Sequence, residues 1–177
     1  MESVSLASSH CGWLKYSKIG YNNAIMINKA KKQIVVAVSG GFAPLHVGHV
    51  RMMQEAKKLG HRLGVILNND NWIQTKKGCV FMNQKERKEL IESIGCVDEV
   101  VLTSHAKGTK DMSVCGTLKK VKPHIFANGG DRKFDNIPEV PVCKKLGCKM
   151  VFNLGKGGKV QSSSWLLTDY LKKKNGK

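Results

Sequence analysis

Residues 39–49 read SGGFAPLHVGH and lie between two segments of different pattern. Residues 34–38, IVVAV, are entirely apolar and mostly β-branched, which is typical of a strand buried on both faces. Residues 47–59 repeat apolar side chains at helical spacing and end before Gly60. Two glycines before a helix allow the backbone to approach a phosphate, and the first helical turn offers unpaired N–H groups. We therefore expect this segment to bind an anion.

The rest of the sequence alternates short apolar runs with helical patterns, which predicts an α/β fold. The expected architecture is a Rossmann-like three-layer sandwich with a five-stranded parallel sheet. The predicted strands are Ile34–Val38, Leu63–Leu67, Glu99–Leu102, Ile125–Ala127 and Met150–Asn153. The predicted helices are Val47–Leu59, Asn83–Ile94, Met112–Val121, Pro138–Leu146 and a last one after the serine run 162–164. Ligands of such folds bind at the carboxyl ends of the strands.

The helix predicted at Asn83–Ile94 opens with a capping-box pattern, because Asn83 and Glu86 are three residues apart. Its spacing predicts that Arg87 lies on the surface, paired with Glu86 or another neighbour. Three residues of this helix are expected in the core: Leu90, Ile91 and Ile94.

Size and composition exclude several classes of protein. A chain of 177 residues with 41% hydrophobic residues can bury a full core. No stretch approaches the roughly 20 apolar residues of a membrane helix, and no signal peptide is recognised in the first thirty residues. The six cysteines contain no CxxC pair, which favours reduced thiols. We expect a cytoplasmic protein without membrane association.

The formal net charge of +17 is concentrated at the two ends of the chain. Residues 1–32 hold five lysines and one glutamate, and we interpret them as a basic N-terminal arm. Residues 33–171 form the predicted domain, and residues 172–177 form a basic C-terminal tail. A strongly basic surface attracts polyanions of every kind. A nucleic acid is therefore a possible partner, but the charge alone does not favour it over other anionic ligands.

Two histidines, His46 and His49, are three residues apart at the start of the first helix, with Gly48 between them. At this spacing both imidazoles can face a ligand at the helix N-terminus. Two other interpretations stay open from the residues alone, namely metal binding and a purely structural role. No third ligand at a plausible spacing accompanies the pair, so we predict no protein metal site.

The chain resembles the HIGH-motif nucleotidyltransferase superfamily at His46-Val47-Gly48-His49, and especially its cytidylyltransferase-like branch. That branch contains glycerol-3-phosphate cytidylyltransferase and the adenylyltransferase that makes ADP-heptose. Further similar segments occur in the same order: 56–60 (AKKLG), 69–70 (ND), 76–78 (KKG), 86–87 (ER), 97–101 (VDEVV), 128–132 (NGGDR) and 161–164 (QSSS). The resemblance covers about residues 33–171. It departs from the family at Ala43, His61 and Gln161.

The resemblance implies transfer of a nucleoside monophosphate, from CTP or ATP, to the phosphate of a small phosphorylated sugar or alcohol, with release of pyrophosphate. It implies catalytic roles for His46, His49 and Lys77, and contacts to the acceptor from Lys76 and Asp70. The residues implied in nucleotide binding are Gly40, Gly41, Phe42, Gly48, Asn128, Gly129, Gly130, Asp131, Arg132, Ser162, Ser163 and Ser164. Mg²⁺ would be carried by the triphosphate, and the protein would be a homodimer.

Simpler interpretations of these residues remain. The serines could only cap the last helix, and Asp131 and Arg132 could form a turn with a surface ion pair. Lys76 and Lys77 could lie in an ordinary exposed loop. The competing functions are a nucleic-acid-associated protein and a catalytically silent member of the same fold.

Overall fold

A computed structural model describes residues 33–130, 137–155 and 161–175 of the chain. Its elements follow in the order β1 (Val35–Gly40), α1 (Val47–Lys57), β2 (Arg62–Leu67), α2 (Asp70–Lys77), α3 (Gln84–Glu92), β3 (Glu99–Leu102), α4 (Cys115–Val121), β4 (Ile125–Gly129), α5 (Glu139–Leu146), β5 (Lys149–Leu154) and α6 (Ser163–Asn175). Each predicted strand is present, with its ends within two residues of the prediction. The predicted basic arm, residues 1–32, lies outside the described residues.

The five strands form one parallel sheet in the order β3-β2-β1-β4-β5. The chain moves outward from β1 through β2 to β3, and then crosses back to β4 on the other side of β1. The carboxyl ends of β1 and β4 therefore flank the switch point at which open α/β sheets bind their ligands. The predicted α/β class and the parallel sheet are confirmed.

The sheet is covered on both faces, because successive residues of a strand point to opposite sides. Val36 and Val38 belong to a core that contains Met53 and Ala56 of α1 and Ile91 of α3. On the opposite face, helices α4 and α5 pack against strands β1, β2 and β4. The buried residues of this second core include Ala37, Ile66, Leu118, Phe126 and Cys143. This arrangement is the three-layer sandwich expected from the uniformly apolar strands.

Helix α2 was not predicted, and the interpretation of Lys76 and Lys77 as loop residues is wrong. Only Ile73 of α2 is buried, so its sequence has no apolar repeat that periodicity could detect. The local end signals are present, since Asn69 accepts a hydrogen bond from the backbone N–H of Trp72 and Gly78 has a left-handed φ of 77°.

Two other expectations also need correction. Leu90 of α3 is 42% exposed, because the core contact of this helix runs through Ile91 and through Arg87, which is fully buried. The last helix begins inside the serine run, at Ser163, and continues through Lys172, Lys173 and Lys174 of the expected tail.

Two further observations concern the helices and the cysteines of the described ranges. None of the helices in the described ranges is long and apolar enough to span a membrane. The five described cysteines are free thiols, and Cys11 lies outside the described residues.

At the amino ends of β2 and β3, the carboxylate of Asp98 joins three elements. Asp98 Oδ2 accepts hydrogen bonds from Lys57 Nζ at the end of α1 and from the backbone N–H of Leu63, at 2.5 and 2.6 Å. Burial opposes ionisation of Asp98, but these two donors outweigh it and hold the pKa of the carboxyl below 3.8. Asp98 therefore stabilises the fold above about pH 4, and this contribution is lost as the carboxyl is protonated at lower pH.

The change Asp98→Asn should lower the free energy of unfolding at pH 7 by about 1 kcal/mol, since the charge-assisted bonds are weakened. The difference from the wild type should shrink at pH 3, and urea unfolding at both pH values measures it. Glu92→Gln, which breaks the exposed pair with Lys88, is the control and should cost less than about 0.5 kcal/mol. If Asp98→Asn lowered the free energy of unfolding equally at pH 7 and pH 3, the negative charge of Asp98 would not be what stabilises the fold.

Candidate active site

The loop between β1 and α1 passes close to two neighbouring side chains. A Cβ atom on Gly40 would lie 2.9 Å from Phe42 Cζ, and one on Gly41 would lie 2.6 Å from Ile73 Cδ1 of α2. Phe42 itself has a φ of 50° and is buried. Close packing of the loop against the protein therefore requires both glycines, in addition to any approach by a phosphate.

The two histidines stand together at the start of α1. Their ring centroids are 3.6 Å apart with an interplanar angle of 24°, and the edge of Phe42 meets the His49 ring at a centroid distance of 4.9 Å. A Cβ atom on Gly48 would lie 3.1 Å from the His46 ring, so only glycine leaves this space open. The structure thus brings His46, Gly48 and His49 together at the N-terminus of the helix.

The hydrogen bonds indicate which ring atoms can donate. The backbone N–H of His46 donates to Nδ1 of His49 at 3.3 Å, so the proton of a neutral His49 ring is on Nε2. His46 Nδ1 is buried, and no hydrogen-bond partner for it exists among the described residues. An unpaired buried nitrogen is costly, which is typical of a group that a ligand or water satisfies.

Both imidazoles are held neutral. Burial, followed by the charges of His46 and Lys77, lowers the pKa of His49 to about 3. Burial and Lys77 also lower the pKa of His46 below 6.5. At neutral pH each ring is a hydrogen-bond donor without a net charge.

Lys77 approaches the same loop from the last turn of α2. Its Nζ atom donates to the backbone carbonyl of Ala43 at 2.7 Å, which leaves two ammonium protons for other acceptors. Burial and the neighbouring charge of Arg87 lower its pKa below 10.5. As whole residues, Lys76 and Lys77 are both exposed, as the simpler interpretation expected, although they lie in a helix and not in a loop.

Arg87 is the main site residue that sequence reasoning missed, and its expected surface pairing is wrong. Its guanidinium is fully buried and donates to the carbonyls of Gly41 at 2.6 Å, Asn68 at 2.7 Å and Met82 at 3.0 Å. It also forms an ion pair of 2.6 Å with Asp70. The single signal available was the position of Arg87 one turn before the buried Ile91. Asp70, expected at the acceptor, is thus engaged by Arg87 through one of its two carboxylate oxygens.

Two buried asparagines lie at the carboxyl ends of the strands beside β1. Asn68 lies after β2 and is 3% exposed, and Asn128 lies in β4 and is 4% exposed. Asn68 Oδ1 and Asn128 Nδ2 have no hydrogen-bond partner within the described part of the chain. Asn128 was predicted as a nucleotide contact, whereas Asn68 was not singled out.

Of the other nucleotide contacts predicted after β4, the structure describes Gly129 and Gly130 but not Asp131 and Arg132. Gly129 is in tight contact with α1, because a Cβ atom there would lie 2.6 Å from Met52 Sδ. Gly130 has a left-handed φ of 74°. Asp131 and Arg132 lie outside the described residues, so their roles stay predictions.

The serine run is next to the loop of the histidines. Ser163 Oγ donates to the carbonyl of Pro44 at 2.9 Å, and Ser162 Oγ accepts from the backbone N–H of Trp165 at 3.1 Å as the helix cap. Ser164 is exposed. Upstream, Glu55 of α1 accepts a hydrogen bond of 2.6 Å from the backbone N–H of Gly155, which fixes the start of the segment leading to the serines.

No group of three or more His, Cys, Asp or Glu side chains within residues 33–130, 137–155 and 161–175 could hold a metal ion. The predicted catalytic residues His46, His49 and Lys77 converge on one loop, residues 41–46, which Ser163 of the serine run also contacts. What the arrangement offers chemically is a set of uncharged and cationic donors at a helix N-terminus, which is suited to a polyphosphate.

Replacement of Arg87 by Met should lower the free energy of unfolding by about 3 kcal/mol or more, because it leaves buried carbonyls and Asp70 without their donor. Lys88→Met on the same helix is the control, since Lys88 forms a solvent-accessible i,i+4 ion pair with Glu92 and its side chain is not buried. Chemical denaturation of both variants gives the comparison. If both substitutions lowered the free energy of unfolding equally, Arg87 would not be the residue that links the loop after β1, the end of β2 and the start of α2.

The low pKa of His49 predicts a pH-dependent stability. As pH falls below about 6.5 the unfolded chain binds a proton at His49 and the folded chain does not, so folding becomes less favourable. Between pH 7 and pH 5 the wild type should lose roughly 1–2 kcal/mol more than His49→Gln. Urea unfolding at both pH values measures this, and parallel losses would show that His49 titrates normally.

Comparison with known proteins identifies the family of the chain. The family model for cytidylyltransferase-like proteins matches residues 37–154. An FAD synthase of Aciduliprofundum boonei is 37% identical over 124 residues, which cover 70% of this chain and 79% of the relative. The bifunctional protein HldE of Hydrogenovibrio crunogenus is 31% identical over 161 residues, 90% of this chain but 30% of the relative.

Among solved structures, the lipopolysaccharide core biosynthesis protein of Thermoplasma volcanium superposes with a TM-score of 0.55 at 29% identity. The match covers 70% of this chain and 98% of that protein. The matched family segment runs from β1 to the end of β5 and so contains the histidine pair, Lys77 and Arg87. The chain belongs to the cytidylyltransferase-like family of the nucleotidyltransferase superfamily.

Proposed function

We propose that the chain is an adenylyltransferase, which transfers AMP from ATP to the phosphate of a small phosphorylated alcohol or sugar and releases pyrophosphate. The observation that carries the proposal is the convergence of two neutral imidazoles and one lysine on the loop before α1. The names of the relatives support ATP over CTP as donor, since FAD synthase and HldE both transfer an adenylyl group.

The reaction needs no covalent group from the protein, because an ionised phosphate oxygen of the acceptor is already a nucleophile. That oxygen attacks the α-phosphorus of ATP, a new P–O bond forms, and the bond to the bridging oxygen of pyrophosphate breaks. The protein's tasks are to align the two phosphates and to stabilise charge on the α-phosphate and bridging oxygens. The donors at residues 46, 49 and 77 suit these tasks.

We assign to His46 and His49 the stabilisation of the α-phosphate and the bridging oxygen. A neutral ring donates through N–H and needs no proton from solvent, so this contribution is constant across neutral pH. Lys77 would exchange its bond to the Ala43 carbonyl for a phosphate oxygen of the acceptor or the leaving group. Ser162, Ser163 and Ser164 would bind the β- and γ-phosphates at the N-terminus of α6.

Mg²⁺ belongs to the substrate in this account, because it enters bound to ATP. The described residues present no cluster of carboxylates that would hold the ion without the nucleotide. Asp70 is paired with Arg87, and Glu55 is bonded to the backbone of Gly155. The protein would therefore recognise the charge of MgATP through N–H and ammonium donors.

The first candidate acceptor is flavin mononucleotide, the phosphorylated alcohol whose adenylylation gives FAD. FAD synthases with 35–37% identity to this chain recur among the relatives. Apolar surface beside the loop suits a flat ring system, since Val47 is 51% exposed directly after His46, and Trp165 is 48% exposed two residues after Ser163. The second candidate is a sugar 1-phosphate, supported by the alignment with HldE over 90% of this chain.

Pyrophosphate release should require ATP together with one phosphorylated acceptor. The assay compares ATP, CTP, GTP and UTP with flavin mononucleotide, sugar 1-phosphates and glycerol phosphate, and riboflavin should be inactive because it lacks the nucleophilic phosphate. In the active combination, His46→Ala/His49→Ala should reduce turnover by about 10²–10³-fold.

His61→Ala is the matched control, because His61 directly precedes β2 at the amino end of the sheet, where its ring Nδ1 accepts a hydrogen bond from the backbone N–H of Ile34. Its turnover should equal that of the wild type. Turnover of the double variant within threefold of the parent would overturn the assigned mechanism. Pyrophosphate release with CTP and not with ATP would overturn the choice of donor, and no release with any pair would favour the catalytically silent alternative.

A further inference from the structure

Six exposed lysines lie at the end of the sheet opposite the candidate active site. They come from the last turn of α4 and its cap, from the last turn of α5 and from the start of β5. We define them as the basic surface: Lys119, Lys120, Lys122, Lys144, Lys145 and Lys149. Helices that cross over between parallel strands end where the next strand begins, so these residues share the amino edge of the sheet.

Contacts between the elements keep this group together. The backbone N–H of Lys149 donates to the carbonyl of His124 at 2.9 Å, which joins the starts of β4 and β5. Helices α4 and α5 are joined at their other ends by the bond from Val114 N–H to Glu139 Oε1, also 2.9 Å long. Both helices run in the same direction over one face of the sheet, so their lysine-bearing ends lie side by side.

Within the described ranges, none of the six lysines of the basic surface forms an ion pair. The ion pairs there involve Lys57, Arg87 and Lys88. Glu139 is the one acidic residue in segments 113–130 and 137–155, and it is buried at the far end of α5. A group of six like charges without counter-charges attracts a polyanion and releases its counterions on binding.

The composition of this surface favours one class of polyanion. Protein interfaces have an apolar or aromatic centre and are depleted in lysine, and surface binding to a lipid bilayer gains strength from inserted apolar side chains. Segment 113–155, which carries the six lysines, contains none of the large exposed apolar residues of the described chain: Ile34, Val47, Phe81, Leu90, Trp165, Leu166, Tyr170 and Leu171. Of these, Ile34 lies at the amino edge of the sheet, directly before β1, and is 38% exposed. Nucleic-acid interfaces are instead polar and strongly positive.

We infer that the basic surface binds the phosphate backbone of a nucleic acid. Lysine is a point charge without the bidentate geometry that reads base edges, so the contact is independent of sequence. Because it lies at the amino edge of the sheet, a bound nucleic acid leaves the carboxyl-edge site open. The inference therefore does not depend on the proposed adenylyl transfer.

The test measures binding of the full chain to fluorescein-labelled duplex DNA and single-stranded RNA, in the range 50–200 mM salt. Six phosphate contacts give a slope of log K against log salt of about −5 for duplex DNA and about −4 for a single strand. Neutralisation of three lysines in Lys119→Gln/Lys120→Gln/Lys144→Gln should reduce that slope by about 2–3. Pyrophosphate release and thermal stability should remain at the wild-type values.

The matched control is Lys85→Gln/Lys107→Gln/Lys110→Gln, which removes three exposed charges elsewhere in the described chain. This variant should keep the wild-type slope. Equal loss of binding in both triple variants would overturn the inference, since net charge and not the basic surface would then be responsible. Absence of binding at 50 mM salt would also overturn it, as would binding to phosphatidylserine vesicles without binding to either nucleic acid.

Discussion

The buried guanidinium of Arg87 is the constraint on which the candidate site depends. It joins the loop after β1, through Gly41, to the end of β2, through Asn68, and to the start of α2, through Asp70. A buried charge is stable only if it is paired and its donors are satisfied, and Arg87 meets this condition with one carboxylate and three carbonyls. Because Lys77 is on α2 and bonds to Ala43, the position of Lys77, the proposed catalytic lysine, also follows from this link. Loss of Arg87 would thus weaken the contact between the loop and Lys77 on which the proposed mechanism depends.

The sequence was sufficient for the layered α/β fold because most residues of its strands are apolar, as expected for strands buried on both faces. It was also sufficient for the histidine pair, whose spacing and intervening glycine place both rings at one helix end. It was insufficient for α2, because a short helix with one buried residue shows no apolar periodicity. It was also insufficient for Arg87, because the sequence alone does not distinguish a buried arginine from an exposed one. The partners that make Arg87 internal are 5 to 46 residues away along the chain, and only the tertiary structure brings them together.

The candidate active site and the basic surface lie at opposite edges of the sheet. Helix N-termini, neutral imidazoles and Lys77 lie at the carboxyl edge, where we propose that a triphosphate binds. The basic surface of exposed lysines lies at the amino edge, where we infer that an extended polyanion binds. Both proposed ligands present phosphate, but among the described residues only the carboxyl edge combines burial with directed N–H groups, and burial strengthens the electrostatic contacts that catalysis requires.

The proposed mechanism requires the histidine pair at the start of α1 to contact the phosphates of ATP at the scissile bond. A crystal structure of the chain with Mg²⁺ and the non-hydrolysable analogue α,β-methylene-ATP would show whether this contact forms. We expect Nε2 of His49 within about 3.2 Å of an oxygen on the α- or β-phosphate, His46 in contact with the same group, and the end of the triphosphate at the serines of α6. A triphosphate bound away from both rings, with the imidazoles in their unliganded contacts, would overturn the proposed role of the histidine pair.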